Sequence, residues 1–155
     1  MRTVTICFLV KGNEVLLTPK KKGFGEGFLN GYGGGVEGKE TIVETALREI
    51  EEESTATSTS DALEKVAVID FFEGGRQIFE CHVFFVHSWS GEPKETAEMG
   101  QPEVHDLQAI PFDRMWKSDR VWMPVIFRGE RIQAKAYYNE GMKGLEKFEY
   151  VPLVA

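Results

Sequence analysis

Apolar positions along the chain fall mostly in short runs rich in β-branched and aromatic residues, and few of them keep a helical spacing. Thr3 to Val10 predicts a strand, Lys11-Gly12-Asn13 a turn and Glu14 to Thr18 a second strand, so the chain opens on a hairpin. A basic, glycine-rich loop follows from Lys20 to Gly27, and Phe28 to Tyr32 leads into Gly33-Gly34-Gly35. Val66 to Phe72 and Gln77 to Val86 read as two more strands around Glu73-Gly74-Gly75. Ser54 to Ser60 and Trp89 to Gly100 are polar connections, Glu103 to Ile110 a strand and Pro111 to Trp116 a turn. Trp122 to Phe127 predicts a short apolar helix, and Arg131 to Tyr138 with Lys147 to Val151 predict closing strands. Strands and few helices in this order suggest a mixed sheet flanked by helices.

One helix is specified in more detail. Thr41 followed three residues later by Glu44 makes a capping box, which satisfies the first free amides and sets the entry at Thr41. At ~100° per residue, Val43, Ala46, Leu47 and Ile50 gather on one arc that should face the sheet. Glu49, Glu52 and Glu53 fall within ~100° of one another on a different flank, while Glu51 points away. Like charges at this spacing repel by a few tenths of a kcal/mol per pair, and by more where partly buried. A cation resolves the conflict. Mg²⁺ takes oxygen ligands, commonly one or two carboxylates with water and substrate phosphate in the remaining positions. Arg48 sits on a third flank, four residues from both Glu44 and Glu52, and supports the acidic face from there.

Composition narrows the choice. With 155 residues and 42% hydrophobic content, the chain fits one compact domain over 1–155. The apolar run Val4 to Val10 is too short to span a bilayer and lacks the order of a signal peptide, so a cytoplasmic protein without membrane partners is expected. Cys7 and Cys81 have no metal-ligand spacing around them and read as buried free thiols. A net charge of −7 argues against a duplex nucleic-acid footprint, whereas a small anionic substrate bridged by metal to the acidic helix is compatible with it. His82 and His87 read as structural or surface histidines, and Glu92, Glu95 and Glu98 lie on a loop that can reach the acidic helix.

The segment Gly34 to Glu53 resembles the Nudix box, at Gly34, Glu40, Arg48, Glu49, Ile50, Glu52 and Glu53. The likeness stops at the end of the motif, where Thr55 replaces the final glycine and Ala56 the last aliphatic residue. A glycine there lets a helix leave through a left-handed residue, a conformation costing ~1–2 kcal/mol for other side chains, so a different helix exit is expected. The resemblance implies an α/β/α sandwich with a central mixed sheet. It also makes Glu49, Glu52 and Glu53 ligands of Mg²⁺, with Mn²⁺ as a substitute, joined by Gly33 and by Glu98. Glu53 or Glu98 takes the proton of the attacking water, and Arg48 completes the catalytic set.

Beyond the box, Phe24-Gly25, Leu29 to Gly34, Asp61-Ala62-Leu63, Glu98-Met99, Ile110-Pro111-Phe112, Met115-Trp116 and Asp119 to Trp122 are similar to the animal oxidised-purine nucleoside triphosphatases, the 8-oxo-dGTP diphosphatases. That likeness implies hydrolysis between the α and β phosphates, releasing a monophosphate and pyrophosphate. It puts Thr5 and Lys20 at the sugar and lets Gly33 and Gly34 bring backbone to the phosphates. Asn30 and Asp119 meet the purine edge and Trp116 stacks on it, with Phe24, Phe71, Met99 and Trp122 as apolar walls. Oxidising guanine at C8 turns the N7 acceptor into a donor, which a matching acceptor can select. Two departures bear on the base: Ser118 stands where those enzymes carry the first of two adjacent aspartates, and Leu29 replaces a tryptophan at the pocket floor. Two further readings stay open: a Nudix hydrolase of dinucleotides, nucleotide sugars or other modified triphosphates, and a non-catalytic nucleotide sensor. A monomer or small homo-oligomer suits any of them.

Overall fold

The computed structural model describes residues 1–154, so Ala155, the last residue of the domain expected over 1–155, lies outside the described residues. The elements are β1 (Arg2–Lys11), β2 (Glu14–Pro19), β3 (Leu29–Asn30), α1 (Ile42–Ser54), β4 (Leu63–Glu73), β5 (Arg76–Val86), β6 (Glu103–Asp106), α2 (Asp119–Phe127), β7 (Ile132–Tyr138) and β8 (Leu145–Pro152). They build a mixed sheet in the order β3-β2-β1-β5-β4-β7-β8, with β6 paired to β2. β1 lies parallel to β5 and β4 parallel to β7; the other pairings are antiparallel.

Both faces of the sheet are covered, and the two-residue strand period shows how. On β1, Cys7 and Leu9 join Ala46 and Ile50 of α1, whereas Phe8 and Val10 join Trp122, Met123, Val125 and Ile126 of α2. β5 repeats the division, with Phe84 and Val86 on the first face and Val83 and Phe85 on the second. The expected sandwich of helices about a mixed sheet therefore forms. Burial of one such side chain as large as Ile50 contributes roughly 2 kcal/mol.

Four local readings are corrected. The face of α1 turned to the sheet carries Thr45, Ala46, Ile50, Glu53 and Ser54, while Val43 and Leu47 are only half-buried. The arc is rotated toward the acids, so Glu53 lies on the buried face rather than on a separate flank. The exit of α1 keeps the left-handed turn: Thr55 adopts φ 68° and its N–H donates to the Glu51 carbonyl at 2.9 Å. A β-branched residue is held there against its own preference. β6 ends at Asp106 instead of Ile110, because the Asp106 carboxylate accepts the Gln108 N–H at 2.7 Å and bends the chain. α2 starts at Asp119, three residues before its apolar run, and this earlier start brings Asp119 to the site.

Candidate active site

The segment after β3 runs antiparallel along β1, with Tyr32 opposite Cys7 and Gly35 opposite Val4. It lies so close that a Cβ on Gly33 would stand 1.8 Å from the Thr5 carbonyl oxygen, and one on Gly31 would stand 2.4 Å from that of Cys7. A Cβ on Gly34 would meet the Glu49 carboxylate at 2.5 Å. These glycines are thus required first by the packing of the segment on β1 and α1, ahead of any ligand. Gly33 turns its amide toward α1, where its N–H donates to Glu53 Oε1 at 2.9 Å.

Beside this segment a single cavity joins two chemistries. At one end are Asn30, Phe71, Phe79, Met99, Trp116, Asp119, Trp122 and Tyr138; at the other are Arg2, Thr5, Lys20, Gly33, Gly34 and Glu53. Asp119 Oδ2 accepts the Trp116 N–H at 3.0 Å, and burial pushes its carboxyl up to about 7. Trp122 is buried beside it, and its indole N–H has no hydrogen-bond partner among the described residues. Asn30 Oδ1 accepts the Gly31 N–H at 2.8 Å, leaving its NH₂ without a partner among the described residues. The buried indole lies close enough to favour the charged form of Asp119, and the half-buried Asn30 amide is open to a ligand. Trp116 stacks on Phe24 of the glycine-rich loop at 5.0 Å and 16°, and meets Tyr138 edge-on at 6.0 Å.

At the acidic end, Glu53 is 6% exposed and its carboxyl is pushed up to about 7. Burial is the main cause; the charges of Glu49 and Glu98 add to it, and the Gly33 N–H and Lys20 oppose it. Burial also raises Glu49. Arg48 binds Glu40 through Nε at 2.6 Å and Nη2 at 2.9 Å, Glu49 through Nη1 at 2.7 Å, Glu52 at 3.2 Å and the Gly35 carbonyl at 3.1 Å. That guanidinium holds Glu40 down to about 2 and locks the glycine turn to the helix. Of the two partners open to Arg48, Glu52 is used and Glu44 is not; Glu44 completes the capping box instead. Thr96, which sequence reasoning missed, ties the distant loop to α1: its hydroxyl donates to the Glu53 carbonyl at 3.0 Å and accepts from Glu98 and Met99 N–H.

The oxygen donors here suit a hard divalent cation. Glu53 has the second oxygen of a buried, destabilised carboxylate to offer, and the Gly33 carbonyl receives no hydrogen bond among the described residues. Glu49 and Glu52 are held by Arg48, and Glu98 by Lys22 at 3.5 Å. Among the described residues no three acidic, histidine or cysteine side chains converge as a ligand set. Glu52 and Glu98 keep side chains 57% and 49% exposed, so water and ions reach both carboxylates.

Of the residues expected at the site, Thr5, Lys20, Phe24, Asn30, Gly33, Gly34, Glu53, Phe71, Met99, Trp116, Asp119 and Trp122 line the cavity. Glu49, Glu52, Glu98 and Arg48 lie behind or beside it. Ser118 does not line it; that residue is fully buried against Tyr138. Arg2, Val4, Ile6, Gly25, Gly31, Phe79, Cys81, Tyr138 and Met142 line the cavity without having been expected. Only Arg2 carried a local signal, as a cation opening a strand. His82 and His87 pair with Glu80 and Glu64, each at 2.8 Å, away from the cavity.

Fold and site together define an α/β sandwich with a capped acidic helix at one end of its cavity. The NUDIX domain matches residues 1–126, and the chain belongs to the Nudix family of hydrolases. It is 40% identical over 132 residues to the oxidized purine nucleoside triphosphate hydrolase of Danio rerio, covering 84% of this chain and 83% of that one. The Mus musculus protein of the same name is 37% identical over the same shares. In fold it is similar to a MutT protein from Bacillus halodurans, with TM-score 0.80, 23% identity and 97% of each chain covered. Nudix hydrolases generally use a divalent metal and act on small nucleotide substrates. No helix among the described residues is long and apolar enough to cross a membrane.

Proposed function

We propose that this protein is a Mg²⁺-dependent pyrophosphatase of oxidised purine nucleoside triphosphates such as 8-oxo-dGTP, and that it removes them from the cytoplasmic nucleotide pool. The observation that carries the reading is the continuity of one cavity from a buried acid among aromatics, Asp119, to a buried acid beside a glycine turn, Glu53. The two vertebrate relatives, by name oxidised-purine hydrolases, support it. Residues 1–155 act in this reading as one domain, alone or as a small homo-oligomer, without duplex nucleic acid or membrane as a partner.

Trp116 and the walls around it take the base by stacking, which requires Phe24 to yield its place on the indole. Asp119 and the Asn30 amide meet the purine edge, and the N7 proton of 8-oxoguanine is the donor that a carboxylate selects. Thr5 and Lys20 lie at the sugar, and Lys20 with Arg2 brings positive charge to that end of the cavity. Glu49, Glu52, Glu53, Glu98 and the Gly33 carbonyl would hold Mg²⁺, or Mn²⁺ in its place. Bound there, the ion neutralises phosphate charge and acidifies a water. Glu53 or Glu98 takes the proton, and Arg48 keeps Glu49 and Glu52 aligned.

The test is a comparison of kcat/KM with Mg²⁺ for 8-oxo-dGTP, dGTP, ADP-ribose and a dinucleoside polyphosphate. The expected result favours 8-oxo-dGTP over dGTP by ~10²-fold or more, the scale on which an unpaired buried group discriminates. A higher value for ADP-ribose or the dinucleotide would move the assignment to another Nudix substrate, and no pyrophosphate release at all would leave a nucleotide sensor.

A further inference from the structure

Ser118 occupies an unusual position. It directly precedes α2, with φ −72° and ψ −21°, yet its side chain makes no capping bond to the helix. Its N–H donates instead to the Tyr138 hydroxyl at 2.8 Å, and that hydroxyl donates back to Ser118 Oγ at 2.8 Å. Both residues are closed to solvent, at 0% and 1% exposure, so the pair is worth more than an exposed one. The Ser118 carbonyl in turn accepts Val121 N–H at 2.9 Å and Trp122 N–H at 3.2 Å, which starts the helix. The end of β7 thereby grips the first turn of α2 at two points.

Asp119, the next residue, hangs from that turn. Its backbone N–H donates to the Trp116 carbonyl at 3.0 Å and its Oδ2 accepts the Trp116 N–H at 3.0 Å. Tyr138 reaches both anchors, meeting Ser118 through its hydroxyl and Trp116 through its ring edge. We propose that Tyr138 is a positioning residue for base selection: through Ser118 it fixes the Asp119 carboxyl at the purine edge, so that one acid does the selecting. This deepens the proposed function and rests on it. The other titratable groups set against Asp119 are the Cys81 thiol of β5 and the Tyr138 phenol itself. Loosening the grip admits water to the first turn of α2, which relieves the burial that holds the Asp119 carboxyl high.

The experiment compares Tyr138→Phe, Ser118→Ala, the double variant and Ser118→Thr by kinetics and by NMR titration of the Asp119 carboxyl. Tyr138→Phe and Ser118→Ala should each lower the preference for 8-oxo-dGTP over dGTP roughly tenfold through KM, as one misplaced hydrogen bond does. The double variant should be no worse than either single one, because a shared device is lost once. Ser118→Thr keeps the hydroxyl and should restore both the preference and the titration. The Asp119 midpoint should move down from near 7 in the first two variants. A lower Tm with unchanged preference and an unchanged Asp119 midpoint would overturn the proposal, leaving Tyr138 a packing residue. Should Tyr138→Phe fail to fold, Ser118→Ala carries the same readouts. If the unaltered protein shows no preference for the oxidised purine, the functional reading fails, and the Asp119 titration still decides whether Tyr138 positions that carboxyl.

Discussion

The two ends of the cavity are built differently. Around the base end, Trp122, Tyr138 and Asp119 are buried in β7 and α2, and Asp119 is bonded before any ligand arrives. At the phosphate end only Glu53 is so held; Glu49 and Glu52 rest on Arg48, and Glu98 rests on Lys22. A base is recognised by shape and a few directed bonds, so its site gains from rigid packing. Phosphate and a cation bring charge that has to be balanced in both the free and the loaded protein, and ion pairs that can be exchanged serve that need. The difference is between an end preformed by packing and an end preformed by charge.

The largest blow to the phosphate end is Glu53→Gln. It should cut hydrolysis of every triphosphate by ~10³-fold, within the range for a lost catalytic proton acceptor. Nucleotide binding and Tm should survive, since a buried charge is removed; an active variant would place the chemistry elsewhere. At the base end, Asp119→Ala should cost ~10²-fold in kcat/KM on 8-oxo-dGTP and far less on a generic triphosphate. Equal losses on both would mean that Asp119 only supports the fold.

A pH titration separates the ends by stability. Asp119 and Glu53 both sit near 7, above their ordinary 3.8 and 4.5, so the native state holds extra protons between about pH 4 and 7. Stability without metal therefore falls as pH rises through that window, by up to roughly 3–4 kcal/mol for each of the two groups. Mg²⁺ should restore the share due to Glu53 and leave that of Asp119, which Asp119→Asn alone should remove. A Tm that climbs from pH 4.5 to 7 without metal would contradict both. The smallest expected effect lies outside the cavity: Thr55→Gly should stabilise by about 0.5–1 kcal/mol, a few degrees in Tm, by freeing the left-handed exit of α1. An unchanged or lower Tm would show that the Thr55 side chain compensates for its own strain.

The helix that carries the acids was readable in advance because its signals are local. Thr41 and Glu44 lie three residues apart, and Glu49, Glu52 and Glu53 share one patch by helical geometry alone. Which side of the helix would be buried was readable in part. Ala46 and Ile50 of the expected arc are buried, but Thr45, Glu53 and Ser54 join them while Val43 and Leu47 stay half-buried, and only contact with the sheet sets that rotation. Thr55 shows the same division in reverse: its residue type argues against a left-handed turn, and the packing of α1 imposes one.

Period-two alternation, glycine turns and the capped acidic helix, all set by neighbours within a few residues, determined the mixed sheet with its helices and the acids that α1 carries. Only tertiary structure decided the rest of the base end. Phe79, Cys81, Tyr138 and Met142 reach the cavity from β5, β7 and the loop after β7, far apart along the chain, and Arg2 joins its other end from β1. The grip of Tyr138 on Ser118 spans 20 residues, and no local spacing encodes it. Bonds of that kind exist only once strands and helix have packed, because packing is what brings their atoms within reach.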